Sequence, residues 1–383
     1  MIQLRELPPL SLYVHIPWCV RKCPYCDFNS HEARGEAPQK AYVKALIRDL
    51  EQALPLIWGR RIHSIFFGGG TPSLLEPALL DYLLSQFRAL LPLAVNTEIT
   101  LEANPGTVEA SRFTEFKASG VNRLSLGIQS FNDQSLQKIG RIHDAAQARK
   151  AAEIALATFS QVNLDLMYAL PDQTMEAALA DLQQAIALNP QHISAYHLTL
   201  EPNTAFHHHP PALPDDDTSA AMQEAIEAML AQAGYVHYET SAFAKPGKQC
   251  RHNLNYWQFG DYLGIGAGAH SKLSFPDRVL RQAKLKHPAA YMQAVDNATH
   301  IESEHKLGRD DLGFEFMMNA LRLTGGFPVT LFQERTGLPI SSVDEALGQA
   351  EAKGLITRDH LEIKPTLDGQ RFLNELLQLF LQD

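Results

Sequence analysis

The order of apolar patterns along this 383-residue chain predicts an α/β fold on a parallel sheet, followed by a smaller helical module. Three observations carry that prediction. Strand-like and helix-like runs alternate through six β/α units between Ser11 and about Glu201. The composition changes after Glu201, where proline, histidine and aspartate crowd together. From about Arg309 the pattern is mostly helical, with one short β-rich segment near the end.

The elements follow in order. SLYVHIP, from Ser11, is a short β-rich run. KAYVKALIRDLEQAL sets Val43, Leu46, Ile47 and Leu50 at helical spacing. IHSIFFGGG reads as a strand and EPALLDYLLSQFRALL as a helix. NTEITLEANP alternates like a strand, and ASRFTEFKASG reads as a helix ended by its glycine. VNRLSLGIQS, VNLDLMYAL and HISAYHLTLE give three more strands with helices between them. Such alternation predicts right-handed crossovers in a sheet that either closes into a barrel or stays partly open. In both cases ligands gather at the carboxyl ends of the strands.

Beyond Glu201, PNTAFHHHPPALPDDDT reads as a linker or loop. Its histidines, His207 to His209, have no spacing or partner that supports a metal tract. SAAMQEAIEAMLAQAG is helical, YVHYETSAF is β-rich, and GDYLGIGAGAHS reads as a glycine-rich loop. LITRDHLEIKPT looks like a two-stranded wing, so the last module reads as winged-helix-like. The expected division is a core over 1–201, a linker with an additional α/β segment over 202–305, and the winged-helix-like domain over 306–383.

Composition narrows the function. Apolar residues make up 45% and charged residues 20%, the balance of a globular protein. The net charge of −10 argues against nucleic acid or an anionic membrane as the main partner. The last module, from Arg309, carries seven basic and twelve acidic residues, which argues against DNA binding there. The N-terminus lacks a long apolar segment, and no run reaches the length of a transmembrane helix, so a soluble cytoplasmic protein is expected. Four cysteines are too few for a disulfide framework.

Three of those cysteines, Cys19, Cys23 and Cys26, stand as C-x3-C-x2-C directly after the first strand. Structural zinc normally takes four ligands. Three thiolates on a 4Fe–4S cluster leave one iron open, and an open metal position is where a small molecule binds. Pro17 and Pro24 stiffen the loop. The arrangement resembles the radical S-adenosylmethionine (SAM) enzymes. In that superfamily the open iron takes the amino and carboxylate groups of SAM, and an electron from the cluster cleaves the sulfonium to give a 5′-deoxyadenosyl radical.

Further candidates fall at strand ends in the right order. Gly68, Gly69, Gly70 and Thr71 lie in FFGGGTPS, where glycines admit close approach and expose amide donors. LEANP offers Glu102, GIQSF offers Gln129, DLMYALPDQT offers Asp165, and IGRIH offers Arg141. Glu102 and Asp165 sit inside apolar strand patterns, where a bare carboxylate is costly, though both can also be solvated at the surface. Gln129 can instead satisfy buried backbone groups, and Arg141 can be an ordinary surface charge.

The strings YVHIPWC, GGGTPS, LEANP, GIQSF and DLMYALPDQT resemble the oxygen-independent coproporphyrinogen oxidase branch of the superfamily, from about residue 11 to the end. That resemblance implies a partly open (β/α)6 barrel. It also implies SAM contacts at Tyr13, Tyr25, Gly69, Gly70, Thr71, Glu102, Gln129, Arg141 and Asp165, with Cys19, Cys23 and Cys26 as cluster ligands. Within the branch, the oxidases end their motif in CxC, whereas Phe28 stands here in the last place. The CxF ending resembles the HemW family of heme chaperones. The first strand also begins close to Met1, leaving little room for the longer N-terminal extension of the oxidases.

RHNLNYW matches the HNxxYW motif of that family, with His252, Asn253, Tyr256 and Trp257. The resemblance implies heme contact at His252, Tyr256 and Trp257, with the imidazole as an axial ligand and the aromatic faces against porphyrin. On residues alone, the segment can equally be a loop anchored by buried aromatics. Cys250 reads as a small buried residue, or as a thiol ligand. His270 in GAGAHS is either a second ligand candidate on a closing loop or a core or capping histidine. Two functions compete. One is a heme chaperone that passes heme to a partner such as a membrane-bound respiratory enzyme, with a cluster-dependent homodimer as its assembly. The other is SAM-dependent decarboxylation of coproporphyrinogen III.

Overall fold

Alternation of side-chain type along each strand sets the architecture. The computed structural model describes residues 2–381 apart from 34, 36 and 107–110. In β1 (Leu10–Ile16), Leu12, Val14 and Ile16 are buried in the main apolar core, while Ser11, Tyr13 and His15 take the other face. The same period of two recurs in β2 (Ile62–Gly69), β3 (Leu93–Ala103), β4 (Arg123–Gln129), β5 (Val162–Tyr168) and β6 (His192–His197). Their apolar face packs under helices α1 (Gln39–Ala53), α2 (Pro77–Leu90), α3 (Phe113–Ser119), α4 (Ala145–Thr158) and α5 (Met175–Leu188). Gly120 ends α3 in the left-handed conformation at φ 114°, as its sequence suggests; Ala110, the first residue of the expected helix, lies outside the described residues.

The inner face is polar and is knitted across strands. Ser11 and Ser64 share a hydrogen bond of 2.7 Å, and Ser125 Oγ donates to Asp165 at 2.9 Å. Asn163 donates to Asp165 at 2.7 Å and pairs with His192 at 2.6 Å. These enclosed side chains persist because each of them finds a partner.

The six strands pair in parallel and in chain order, giving the partly open (β/α)6 core. Later strands extend both edges. After α6 (Asp216–Gln232), the antiparallel β7 (Val236–Glu239) and β8 (Ala242–Ala244) lie beyond β6. The chain then passes through α7 (Arg251–Trp257) to the opposite edge. There β9 (Asp261–Ile265) pairs in parallel with β1, and β10 (His270–Phe275), β11 (Arg278–Lys284) and β12 (Ile301–Lys306) continue antiparallel. The result is one twelve-stranded sheet ordered β12-β11-β10-β9-β1-β2-β3-β4-β5-β6-β8-β7.

Two sequence expectations need correction. GDYLGIGAGAHS is not a glycine-rich loop: most of it is β9 and the start of β10. Its glycines allow close approach inside the sheet, since a Cβ on Gly264 would meet the His270 carbonyl oxygen at 2.0 Å. Nor is PNTAFHHHPPALPDDDT only a linker. Thr204 caps a short helix over Ala205–His208, and Phe206 of that helix is buried. His207 to His209 are exposed on it.

The C-terminal module has its own apolar core. It joins α8 (Arg309–Ala320), α9 (Val329–Thr336) and α10 (Asp344–Ala352) to a small sheet of Phe327–Pro328, Ile356–Arg358 and Glu362–Pro365. The two-stranded wing is present, with a third short strand beside it. Phe316 packs edge-on against Phe259, Phe327 and Phe332, and Leu4 joins from the N-terminal segment. Among the described residues, no helix is long and apolar enough to cross a membrane.

One buried charge cluster ties α1 to the added edge. Asp49 accepts hydrogen bonds from Lys284, His300 and Tyr291, each at 2.8 Å, and from the Gly266 amide at 3.2 Å. Burial alone would push its carboxyl up, but His300 and Lys284 outweigh that and hold it below the usual range. Asp49→Asn leaves the Lys284 ammonium buried without a counter-charge and should cost about 3–5 kcal/mol. Urea unfolding measures this, and an unchanged midpoint would contradict it. Because the native carboxyl titrates below its unfolded value, the deficit should be complete above about pH 4 and shrink as pH falls further.

Candidate functional site

The site begins where β1 ends. β1 runs straight into the cysteine loop, and Cys19 lies on a two-residue strand, Trp18–Cys19, paired in parallel with His31–Glu32. The Gly70 amide donates to the Ile16 carbonyl at 2.7 Å and the Thr71 amide to that of Trp18 at 2.8 Å. A Cβ on Gly70 would fall 2.5 Å from the Trp18 carbonyl oxygen, and one on Gly69, at φ 112°, would fall 2.5 Å from the His15 ring. The Gly69 amide hydrogen-bonds Glu102. The glycines therefore grant the close approach expected of them, but these three amides bind protein groups rather than standing exposed.

A chain of side chains connects two of the cysteines. Thr71 hydrogen-bonds Cys19, and Asn104 Nδ2 donates to Thr71 Oγ1 at 2.9 Å. Arg141 donates to Asn104 Oδ1, to the Gly127 carbonyl at 2.8 Å and to Cys23 Sγ at 3.6 Å. Arg141 also bonds Tyr25, so it is no ordinary surface charge. Cys26 Sγ lies 3.9 Å from Ser30 Oγ. The buried Phe206 packs on Tyr25 at 6.5 Å between ring centroids, and its amide donates to the Pro24 carbonyl at 3.0 Å.

All three thiols are free and partly buried. Burial pushes the Cys19 and Cys26 thiols up, against the hydrogen bonds that favour thiolate. A bound cation reverses that balance. Among the described residues no three metal-ligating side chains converge tightly enough for one ion. Thiols on separate irons of a cluster stand further apart than ligands of one ion. Three free thiols on one loop, with hydroxyl and guanidinium donors beside them, therefore fit a cluster held by thiolates.

Next to the loop is a cavity of about 790 Å³, within the range for ligand sites. Tyr13, Phe66, Gly69 and Glu102 line it from the strands, and His252, Tyr256 and Trp257 line it from α7. Glu102 is enclosed by the barrel and faces this space. Burial pushes its carboxyl up to about 8, Asp165 adds repulsion, and the Gly69 amide offsets part of this. Asp165 lies behind it, held by Ser125 and Asn163. Neither carboxylate is a solvated surface group.

His252 is 4% exposed. Its Nδ1 lies 2.9 Å from Ser64 Oγ, and its ring stacks on Phe66 at 4.9 Å. Burial pushes its pKa down to about 3, so the imidazole is neutral. The Glu98 carboxylate from β3 fixes α7 by accepting the amides of Arg251 at 3.2 Å and His252 at 3.0 Å. Cys250 is buried with its thiol 3.5 Å from Glu98, outside the cavity lining. Phe28 is 61% exposed at the cavity mouth, and His270 is exposed there too.

The cavity thus unites Tyr13, Gly69 and Glu102 with His252, Tyr256 and Trp257. Arg141 and Tyr25 sit against the cysteine loop instead, and Gln129 ends β4 in the left-handed conformation at φ 67°. Such strained positions cluster at functional sites. Sequence reasoning passed over His15, whose Nε2 donates to the Asn29 carbonyl at 2.8 Å and whose Nδ1 accepts from the Tyr13 hydroxyl at 3.1 Å. Its place two residues after Tyr13 put it on the same face. Asn104 was missed as well, although it stands two residues after Glu102.

Residues 13–185 match the Radical SAM superfamily, and residues 307–372 match the HemN C-terminal domain. The heme chaperone HemW of Escherichia coli K12 is 51% identical over 382 residues, which cover 99% of this chain and 100% of that relative. HemW of Mycobacterium tuberculosis H37Rv is 36% identical over 330 residues, 84% of this chain and 83% of the relative. Among solved structures, coproporphyrinogen III oxidase (HemN) from Escherichia coli, a radical SAM enzyme, matches with a TM-score of 0.83 at 25% identity, covering 98% of this chain and 90% of that one. Full-length identity of one half, on a radical SAM fold with a HemN-type C-terminal domain, shows that this chain belongs to the HemW family.

Proposed function

We propose that this protein is a heme chaperone: it binds a 4Fe–4S cluster and SAM, accepts heme, and delivers it to a heme-requiring protein such as a respiratory enzyme. The observation that carries this reading is His252. It lines the cavity, Ser64 engages its Nδ1, and no hydrogen bond of Nε2 is seen among the described residues. With the Nδ1 proton on Ser64, Nε2 presents a lone pair to iron. A neutral ring is the form a metal requires. Tyr256 and Trp257 add aromatic faces of the kind that pack on porphyrin. The names of the full-length relatives support the reading, and so does an exposed Phe28 where the oxidase pattern has a further cysteine.

Cys19, Cys23 and Cys26 would hold the cluster. Tyr13, Tyr25, Gly69, Gly70, Thr71, Glu102, Gln129, Arg141 and Asp165 would hold SAM. When bound, the cluster supplies an open iron and a single electron. The chain's own groups do the rest. Thr71 and Ser30 favour the thiolate forms of Cys19 and Cys26, and Arg141 donates to Cys23 Sγ. Glu102 offers an acceptor to a hydroxyl or ammonium of the ligand, and a cationic group beside it would restore its charge. The proposed functional division is 1–201 for cluster and SAM, 202–305 for heme contact and 306–383 for the winged-helix-like domain. The proposed location is the cytoplasm, with a cluster-dependent homodimer as the assembly.

Four outcomes are expected. Cys23→Ala should abolish the cluster absorbance after anaerobic reconstitution; full intensity would sink the ligand assignment. Asn104→Ala breaks the link between Thr71 and Arg141 and should cost about 1–3 kcal/mol in urea unfolding. It should also lower iron and sulfide per chain, and normal loading would detach Asn104 from the cluster. His252→Ala should keep the cluster but shift the Soret band and weaken heme binding; identical spectra and affinity would place the ligand elsewhere. The reconstituted wild type, given SAM, reductant and coproporphyrinogen III, should form no protoporphyrinogen. Product at a useful rate would make it an oxidase.

A further inference from the structure

The cavity has two chemically different ends. The inner end holds His252, Glu102 and the aromatic rings. The outer end holds Lys22, His31, His270 and Lys286 with the carboxylate of Asp27; the other lining carboxyl, Glu102, lies at the inner end. On a chain of net charge −10, this gathering of cationic and cationisable groups runs against the general balance. The groups lie near one another. His31 feels the charges of Lys22 and His287, and its side chain bonds the Lys286 backbone. His270 feels Lys286 and Arg281, with Glu302 as an opposing acidic neighbour.

One of these groups has a spare donor. The His31 ring is spent on the Lys286 backbone, and its remaining nitrogen, Nε2, is buried. No hydrogen bond or ion pair of the Lys286 ammonium is seen among the described residues, and the side chain is exposed at the mouth. Lys22, by contrast, donates to the Phe28 carbonyl at 3.2 Å and the Ser30 carbonyl at 3.3 Å, which folds the CxF segment across the mouth.

We infer that the outer end is a carboxylate subsite, with the Lys286 ammonium as its donor, and that it receives the propionates of the porphyrin. The inference rests on the heme reading of the same cavity. Heme carries both propionates on one edge of its ring. Iron held at His252 on the inner wall leaves that edge for the mouth, where charge-assisted hydrogen bonds to the Lys286 ammonium can form. The apolar edge is left to Phe66, Tyr256 and Trp257. The subsite would thus fix the direction in which the porphyrin enters. It would also discriminate against porphyrins that lack the acids, because unpaired donors at the mouth gain nothing from an ester.

The test is a Soret titration of the anaerobically reconstituted full chain with heme and with heme dimethyl ester. Wild type should bind heme more tightly than the diester. Lys286→Ala should weaken heme binding about two- to fivefold, from the loss of one exposed charge pair. Lys286→Glu should weaken it further, and Lys286→Arg should restore most of it. Diester affinity should stay the same across all four proteins. Equal binding of heme and diester by the wild type, or heme affinity unmoved in Lys286→Glu, would overturn the subsite while leaving heme binding in place. No Soret change with either porphyrin in the wild type would remove the heme reading and the subsite with it. The variants lie on the exposed rim, so urea midpoints equal to wild type should accompany every comparison.

Discussion

How closely the carboxyl ends of β1 and β2 approach each other decides everything above them. Ile16 and Trp18 accept hydrogen bonds from Gly70 and Thr71 at 2.7 and 2.8 Å, and no side chain fits at Gly70. That contact fixes the direction in which the chain leaves β1, and so where the three thiols stand. It also turns the GGGTPS segment into a wall of the site. Thr71 reaches Cys19 from there, and Asn104 and Arg141 carry the connection on to Cys23. The cysteine loop is thus held by backbone pairing on one side and by a side-chain relay on the other.

The barrel interior is polar at a cost that its networks offset. Glu102 and Asp165 face each other across strands, and burial with mutual repulsion raises the proton affinity of Glu102. Ser125 and Asn163 satisfy Asp165, and the Gly69 amide satisfies Glu102. What remains is a carboxyl poised to accept a ligand's positive charge or hydroxyls. The same logic governs His252. Its apolar surroundings keep the ring neutral, and Ser64 steers it without charging it. A site built this way has its polar groups set in place before any ligand arrives.

The later strands explain why the two ligand ends share one space. β7 and β8 extend one edge of the sheet and β9 to β12 the other, so α7 must cross from edge to edge. It packs on β2, where Phe66 meets His252, and Glu98 of β3 accepts two amides of its first turn. Asp49, Lys284 and His300 pin the added edge to α1, and Asn29 reaches the Ala267 and Lys286 carbonyls at 2.9 Å each. The cysteine loop and the added edge therefore form one rim.

By itself the sequence determined what depends on local period and spacing. Period-two and period-3.6 patterns marked six β/α units and a parallel sheet. The cysteine triplet announced its chemistry because it lies within eight residues, and CxF with HNxxYW marked the family. Only the tertiary structure decided how remote residues meet. Asp261–Ile265 reads as a glycine loop because four glycines lie near it, yet β1 needs a parallel partner there and supplies one hydrogen-bonded edge. Phe206 looked like part of a linker because nothing local shows the Tyr25 ring it covers. Asn104 and His15 carry no motif of their own, and their roles arise from partners in other strands or loops. The common cavity of Glu102 and His252, 150 residues apart in sequence, exists because α7 packs on the inner face of β2. Local sequence sets which face of an element is polar, but the pairing of distant strands sets which polar faces share a space.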